Sequence, residues 1–185
     1  DISAVVNPGG KVKKLEETVR FSDTFDNKIK LADAYLSAGE TGQAVELYEK
    51  SLTGAFAENE HGLAQLAKAY FEQERYNEVI NTLKKIYKTQ RFQSSRAHIL
   101  FAKALEQAGY TEQAESEFKL MRGRFSNFEQ RYEYVLFLER ADRIEEAVAL
   151  LEQMLEEAPQ LSSMERKNNR VWLSKSKEEL KRLYA

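Results

Sequence analysis

The 185-residue chain contains no cysteine. That excludes disulfides, thiol nucleophiles and thiolate metal sites, and it fits any redox compartment. Only two prolines occur, Pro8 and Pro159. An interior proline costs a helix about 3 kcal/mol or more, so such scarcity suits a chain that is helical almost throughout. No apolar run approaches the ~20 residues that a bilayer-spanning helix needs, so no membrane-spanning segment is expected. Charge of one sign is also lacking: 28 Lys and Arg face 30 Asp and Glu, for a net charge of −2. This describes a mixed, solvated surface and not a polyanion-binding one. The chain starts at Asp1 rather than methionine, and the expectation drawn from that is a processed or truncated start with an upstream signal or anchor removed.

Aromatic residues are plentiful, with ten phenylalanines and nine tyrosines, too many for a chain that never packs. In order, Asp1–Gly10 reads as a linker or disordered arm, because Asn7-Pro8-Gly9-Gly10 is turn-forming. Val12, Leu15 and Val19 then draw an apolar stripe on a short helix that ends near Phe21. Lys11, Lys13 and Lys14 surround its start, either as a solvated first turn or as a basic segment following an anchor. Ser22-Asp23-Thr24 offers N-cap side chains for the next helix.

From there the chain repeats itself. Leu31, Ala32 and Tyr35 correspond to Leu66, Ala67 and Tyr70, to Phe101, Ala102 and Leu105, and to Tyr134, Val135 and Leu138. Ala44, Tyr48 and Ser51 correspond to Val79, Leu83 and Ile86, to Ala114, Phe118 and Met121, and to Ala147, Leu151 and Met154. The offsets are 35, 35 and 33 residues. Small residues let two helices approach closely while the large ones fill the gaps around them. Gly39 and Gly109 stand where a left-handed helix end is needed, and Thr41, Asn77, Thr111 and Asp142 are expected to cap the second helices. Asp142 with Glu145 has the spacing of a capping box.

This period, with helix–turn–helix units and alternating small and large core positions, resembles the tetratricopeptide repeat family. The resemblance covers roughly residues 25–159, and Pro159 falls where that family often places an inter-repeat proline. The early tryptophan common in the family is replaced by Lys28, Leu63, His98 and Arg131. The expected fold is all-α: an α-solenoid of about four helix–turn–helix repeats with an N-terminal helix and a C-terminal capping helix. The repeats are placed at about 25–58, 60–93, 95–127 and 128–160, within a single domain over 11–185. The capping helix, at about 162–184, starts at Ser162-Ser163 and turns Met164, Val171, Trp172, Leu180 and Leu183 inward.

Candidate chemistry is sparse. His61 and His98 are 37 residues apart with no metal-ligand spacing near either. His98 falls on a core position, and His61 begins a helix and is expected to be exposed. No glycine-rich phosphate loop is present. Glu145-Glu146 and Glu156-Glu157 are adjacent pairs, which point about 100° apart on a helix and form no shared carboxylate site. The expectation is therefore no enzymatic activity, no cofactor and no metal. The basic C-terminal helix, with Trp172 and Tyr184, suggests a stacking surface for nucleic acid. The preceding stretch Glu129–Glu157 opposes that reading with nine carboxylates against three arginines, and an intramolecular match between acidic unit and basic cap is the simpler account.

What the resemblance implies is a protein-interaction scaffold that binds a partner peptide or segment in a concave groove lined by first helices. The equivalent positions give Ile29, Asp33, Gln65, Lys68, Arg96, Lys103 and Tyr132 as groove residues, with a modest basic patch at Lys68 and Lys103 suited to an acidic partner. The family's best-known groove clamps a C-terminal carboxylate with Lys and Asn at set places, and Ile29 and Asp33 occupy the first two of them, so that mode is not expected. The alternative reading is the soluble portion of a membrane-anchored bacterial repeat protein that organises an envelope complex. The expected location is cytoplasmic, with tethering to the membrane through a missing N-terminal segment in the alternative. Self-association through an open end of the array is a further expectation.

Overall fold

The computed structural model describes residues 8–185, and among these it contains helices and turns without strands. The helices are α1 (Pro8–Phe21), α2 (Phe25–Ser37), α3 (Thr41–Ser51), α4 (Glu60–Glu72), α5 (Tyr76–Lys84) and α6 (Arg96–Gln107). They continue with α7 (Thr111–Lys119), α8 (Phe128–Arg140), α9 (Ile144–Glu157), α10 (Ser163–Asn168) and α11 (Arg170–Tyr184). Single 3₁₀ turns lie at Gly54–Phe56, Phe92–Ser94 and Ala158–Gln160. The order is that of four helix pairs, α2 to α9, and the fold class is the all-α helical-repeat solenoid.

Each pair closes through the same backbone turn. The N–H of Glu40, Arg75, Tyr110 and Arg143 donates to the carbonyl of Tyr35, Tyr70, Leu105 and Leu138, at 2.8–2.9 Å in every case. The residue before each donor is left-handed: Gly39 at φ +80°, Glu74 at +58°, Gly109 at +93° and Asp142 at +58°. Glycine takes this conformation freely, whereas Glu74 and Asp142 bear a cost of about 1–2 kcal/mol. Because the turn is closed by backbone bonds, the expected side-chain caps are not used. The N-cap positions of the second helices are Glu40, Arg75, Tyr110 and Arg143, none with a side-chain cap bond. Thr41 and Thr111 are already the first helical residues, Asn77 lies one residue inside α5, and Asp142 is the left-handed residue rather than the start of a capping box. Side-chain caps occur where a helix starts afresh from an extended residue. Thr24 Oγ accepts from the Asn27 N–H, and Ser162 with Glu165 forms a complete capping box.

The repeat positions are core positions. Ala32, Ala67, Ala102 and Val135 are fully buried, as are Ala44, Val79, Ala114 and Ala147 and, one turn later, Tyr48, Leu83, Phe118 and Leu151. The chain forms two compact units, Asp1–Phe92 with Gln107–Gly109 and Gln93–Glu106 with Tyr110–Ala185. In the first, α1 lays Val12 against Leu31 and Ala34, flanked by Leu15, Val19 and Tyr35. There α2 packs on α3 and α4 on α5, and α3 also contacts α4. In the second, α8 packs on α9, and α11 lies against both.

Two boundaries differ from expectation. Helix α1 starts at Pro8, so Pro8-Gly9-Gly10 are helical and not linker. Proline suits the first helical position, where its missing N–H has no partner to lose and its φ is already set. The rest of the expected arm, residues 1–7, lies outside the described residues. The C-terminal helix is two helices, α10 and α11, separated at Asn169 (φ −108°, ψ 11°). That break leaves Met164 and Val171 exposed, whereas one continuous helix was expected to turn them inward. Trp172 does pack inward, its ring 5.9 Å from that of Tyr132.

Candidate functional site

The expected groove residues divide between the two units. In the first, Asp33 on α2 is a hub. The buried Tyr48 hydroxyl on α3 donates to its Oδ1, His61 Nε2 lies 2.8 Å from its Oδ2, and Gln65 Nε2 donates to Oδ1 at 3.3 Å. Burial first, then the hydrogen bond to Asp33 and its charge, push the Tyr48 hydroxyl pKa up. Asp33 therefore spends its acceptors on α3 and α4. Ile29 is buried in the core, which removes it from any ligand-facing set; its helix turns that edge inward. Lys68, on the exposed edge of α4, forms no ion pair among the described residues.

In the second unit the first helices α6 and α8 are laced along their facing edges. Arg96 Nε lies 3.1 Å from Glu129, Lys103 Nζ 3.8 Å from Glu133, and Arg140 grips Glu106 through two bonds of 2.8 and 2.9 Å. Largely exposed pairs of this kind contribute about 0–1 kcal/mol each, so they set register more than stability. They also balance the charge of Arg96 and Lys103. The basic patch expected from the sequence is, in this unit, a row of ion pairs. Tyr132 is half-buried and tilts against Trp172 of α11 at 45°.

Helix α11 is held by Arg182, which pairs with Glu139 of α8 and with Glu179 of its own helix, and by the Tyr184 hydroxyl donating to Glu152. Burial, followed by the neighbouring Glu179 carboxylate, pushes the Glu139 pKa up to about 7, while Arg182 holds Glu179 low. Below pH 4.5 Glu139 is protonated in both folded and unfolded chains, and its contribution to stability is complete. Between about 4.5 and 7 the folded chain binds more protons, so that contribution is lost as pH rises. Glu179 changes state only in more acidic solution and does not reverse the trend. The expected result is a thermal midpoint lower at pH 8 than at pH 5.5, with the difference reduced in Glu139→Gln. A difference that persists unchanged in the variant places the titration elsewhere.

With this geometry in place, residues 29–60 match the family model described as tetratricopeptide repeat. MamA residues 41 to the end, from Desulfovibrio magneticus RS-1, align with a TM-score of 0.69 at 14% identity, covering 84% of this chain and 88% of that one. A MamA mutant aligns at 0.62 and 24% identity, over 78% and 84% of the two chains. YrrB, described as a TPR protein with an unusual peptide-binding site, aligns at 0.63 and 14% identity, over 91% and 86%. No curated protein matches the sequence. The chain has the fold of tetratricopeptide repeat proteins.

At the four places where the resemblance puts a tryptophan, the chain carries four different residues. Lys28 pairs with Asp23 at 3.4 Å, and Leu63 is a plain core residue. His98 is fully buried, with Nε2 2.8 Å from Glu117 Oε2 on α7 and Nδ1 3.3 Å from the Gln93 carbonyl. Arg131 is fully buried and donates to both oxygens of the equally buried Glu157, at 2.8 and 2.5 Å. Each buried polar side chain thus recruits a carboxylate from the second helix of its own pair. Sequence reasoning placed His98 in the core but did not see Glu117 or the Arg131–Glu157 pair. The signal it lacked was spatial, because the partners are 19 and 26 residues away. Among the described residues no group of three His, Asp or Glu is arranged to hold a metal ion, and no helix is long and apolar enough to cross a membrane.

Proposed function

We propose that this chain is a non-catalytic interaction scaffold whose first helices each offer an exposed edge to a segment of a partner protein. The observation that carries the reading is how those edges are built. The core positions of every repeat are filled by wholly buried residues, while Gln65, Lys68, Arg96, Lys103 and Tyr132 stay at least partly accessible on rigid helices. Polar groups held on packed helices lose little freedom on binding, which favours recognition of an extended segment. YrrB, a relative in fold, is described as having a peptide-binding site, and that supports the same reading here. Asp33 takes part by orienting Gln65 and His61 and not as a free acceptor. The ion-paired row in the second unit favours a partner with both signs of charge there, and the acidic part of the partner is assigned to Lys68.

The test is affinity capture from lysate with the intact chain and with a Lys68→Glu, Arg96→Glu variant. Both residues are exposed, so circular dichroism should not change. Loss of one or more captured proteins is the expected result. An unchanged captured set, with the fold intact, removes this edge as the binding surface.

A further inference from the structure

The basic residues of the C-terminal cap do not do what the sequence suggested. Of the seven on α10 and α11, Arg182 alone forms an ion pair with the acidic helices among the described residues. Lys175 sits over the Trp172 ring at 4.7 Å. Arg166, Lys167, Arg170 and Lys177 form no ion pair there, and all four line a single cleft of about 700 Å³ between the end of α9 and the α10–α11 bend. Leu155, Ala158 and Leu173, each half-buried, complete the lining with Ser163 and Ser174. No carboxylate lines the cleft. Of the carboxylates next to its lining residues, Glu165 is turned back to accept from the Ser162 N–H at 3.1 Å, Glu157 is held by Arg131, and Glu156 and Glu178 form no ion pair with the four cations among the described residues.

Four exposed cations without an ion pair thus gather around one depression in a chain whose net charge is −2. The cleft offers both parts of one recognition chemistry: guanidinium forks that take carboxylates in bidentate fashion, and a recessed apolar floor that takes a branched side chain. We propose that this cleft docks an acidic, leucine-bearing segment of a partner polypeptide, at a site separate from the first-helix edges. A bilayer surface fits the cleft less well: its own apolar residues, Leu155, Ala158 and Leu173, are half-buried, and the exposed Met164 and Val171 of the same helices lie outside its lining. Single-stranded nucleic acid fits less well too. No aromatic ring lines the cleft for a base to stack on, and Trp172 is occupied by Tyr132 and Lys175.

The probe is a short fluorescent peptide rich in glutamate and carrying two leucines, titrated with the intact chain and read by anisotropy. Three results are expected. Arg170→Glu with Lys177→Glu weakens binding at least tenfold with unchanged circular dichroism. Replacing the two leucines by serine weakens it at least tenfold, since their apolar surface no longer leaves water on docking. Lys84→Glu, at an exposed lysine of α5 outside both proposed surfaces, leaves the affinity unchanged, which separates a docked peptide from general attraction to the chain's cations. The proposal is overturned if the serine peptide binds equally well, since the contact is then only ionic. It is overturned if Lys84→Glu weakens binding as much as the cleft variant. It is also overturned if phosphatidylserine vesicles or single-stranded RNA bind where the peptide does not.

Discussion

Glu157→Ala is expected to destabilise the second unit by about 3–5 kcal/mol, the usual cost of breaking a buried ion pair from one side. Glu157 is fully buried and accepts from both terminal nitrogens of Arg131 and from the Phe125 N–H at 2.5 Å. Burial alone would raise its pKa, but the Arg131 hydrogen bonds, the Phe125 N–H and the two nearby guanidiniums outweigh that and hold it below the ordinary carboxylate value. Truncation leaves a buried guanidinium whose Nε already has no partner, and it releases Phe125, which the carboxylate holds in a left-handed conformation. Because the folded pKa is depressed, the pair's contribution is present above the unfolded pKa and is lost as pH falls through the folded one. The loss should therefore be largest near neutral pH. With a urea slope of about 1–3 kcal/mol per molar, the midpoint should drop by ~1 M or more. The informative companion is Arg131→Met with Glu157→Leu, which removes both charges and should recover most of the loss. If the double variant is as unstable as Glu157→Ala, the pair is needed for geometry that apolar packing cannot replace.

That ion pair marks where the sequence stopped being legible. The helix pairs could be read because their evidence is periodic and local. Ala32, Ala67 and Ala102 recur with Tyr48, Leu83 and Phe118 at fixed offsets, and each of them is buried. Gly39 and Gly109 announced their left-handed turns, and Glu74 and Asp142 take the same turn without announcing it. The caps were misread for a related reason. A threonine at a helix start looks like a cap in sequence, but a backbone bond from Glu40 to Tyr35 had already closed the turn. The candidate site was less legible. Equivalence between repeats puts Asp33, Lys68 and Lys103 at the same position of their first helices, but it says nothing about what faces them. Tyr48, His61 and Gln65 converge on Asp33, and Glu133 meets Lys103. These neighbours come from other helices, and side-chain reach across helices is not encoded in spacing along one of them. The seven basic residues of the cap were visible as a list, while the cleft that gathers four of them depends on the bend at Asn169.

Phe118→Ala is expected to cost about 3–5 kcal/mol, the range for truncating a buried phenylalanine. Phe118 is fully buried and stacks at 5.8 Å and 6° on Tyr134, with Phe137 at 4.9 Å. It occupies the repeat position that Tyr48, Leu83 and Leu151 occupy elsewhere, and all four are fully buried. The position thus demands volume, whereas the aromatic ring answers a local demand from Tyr134 and Phe137. Those two contributions separate by substitution. Phe118→Leu restores the residue found at the equivalent positions 83 and 151 and should cost about 1–2 kcal/mol, mostly lost ring contacts worth roughly 0.5–1.5 kcal/mol each. Alanine adds a cavity that rigid helices cannot close, at about 24 cal/mol per Å³ of residual volume. Urea titration followed by far-UV ellipticity measures both. Should alanine and leucine prove equally costly, the ring contacts and not the filled volume hold this pair together, and the equivalence of the four positions would be one of spacing only.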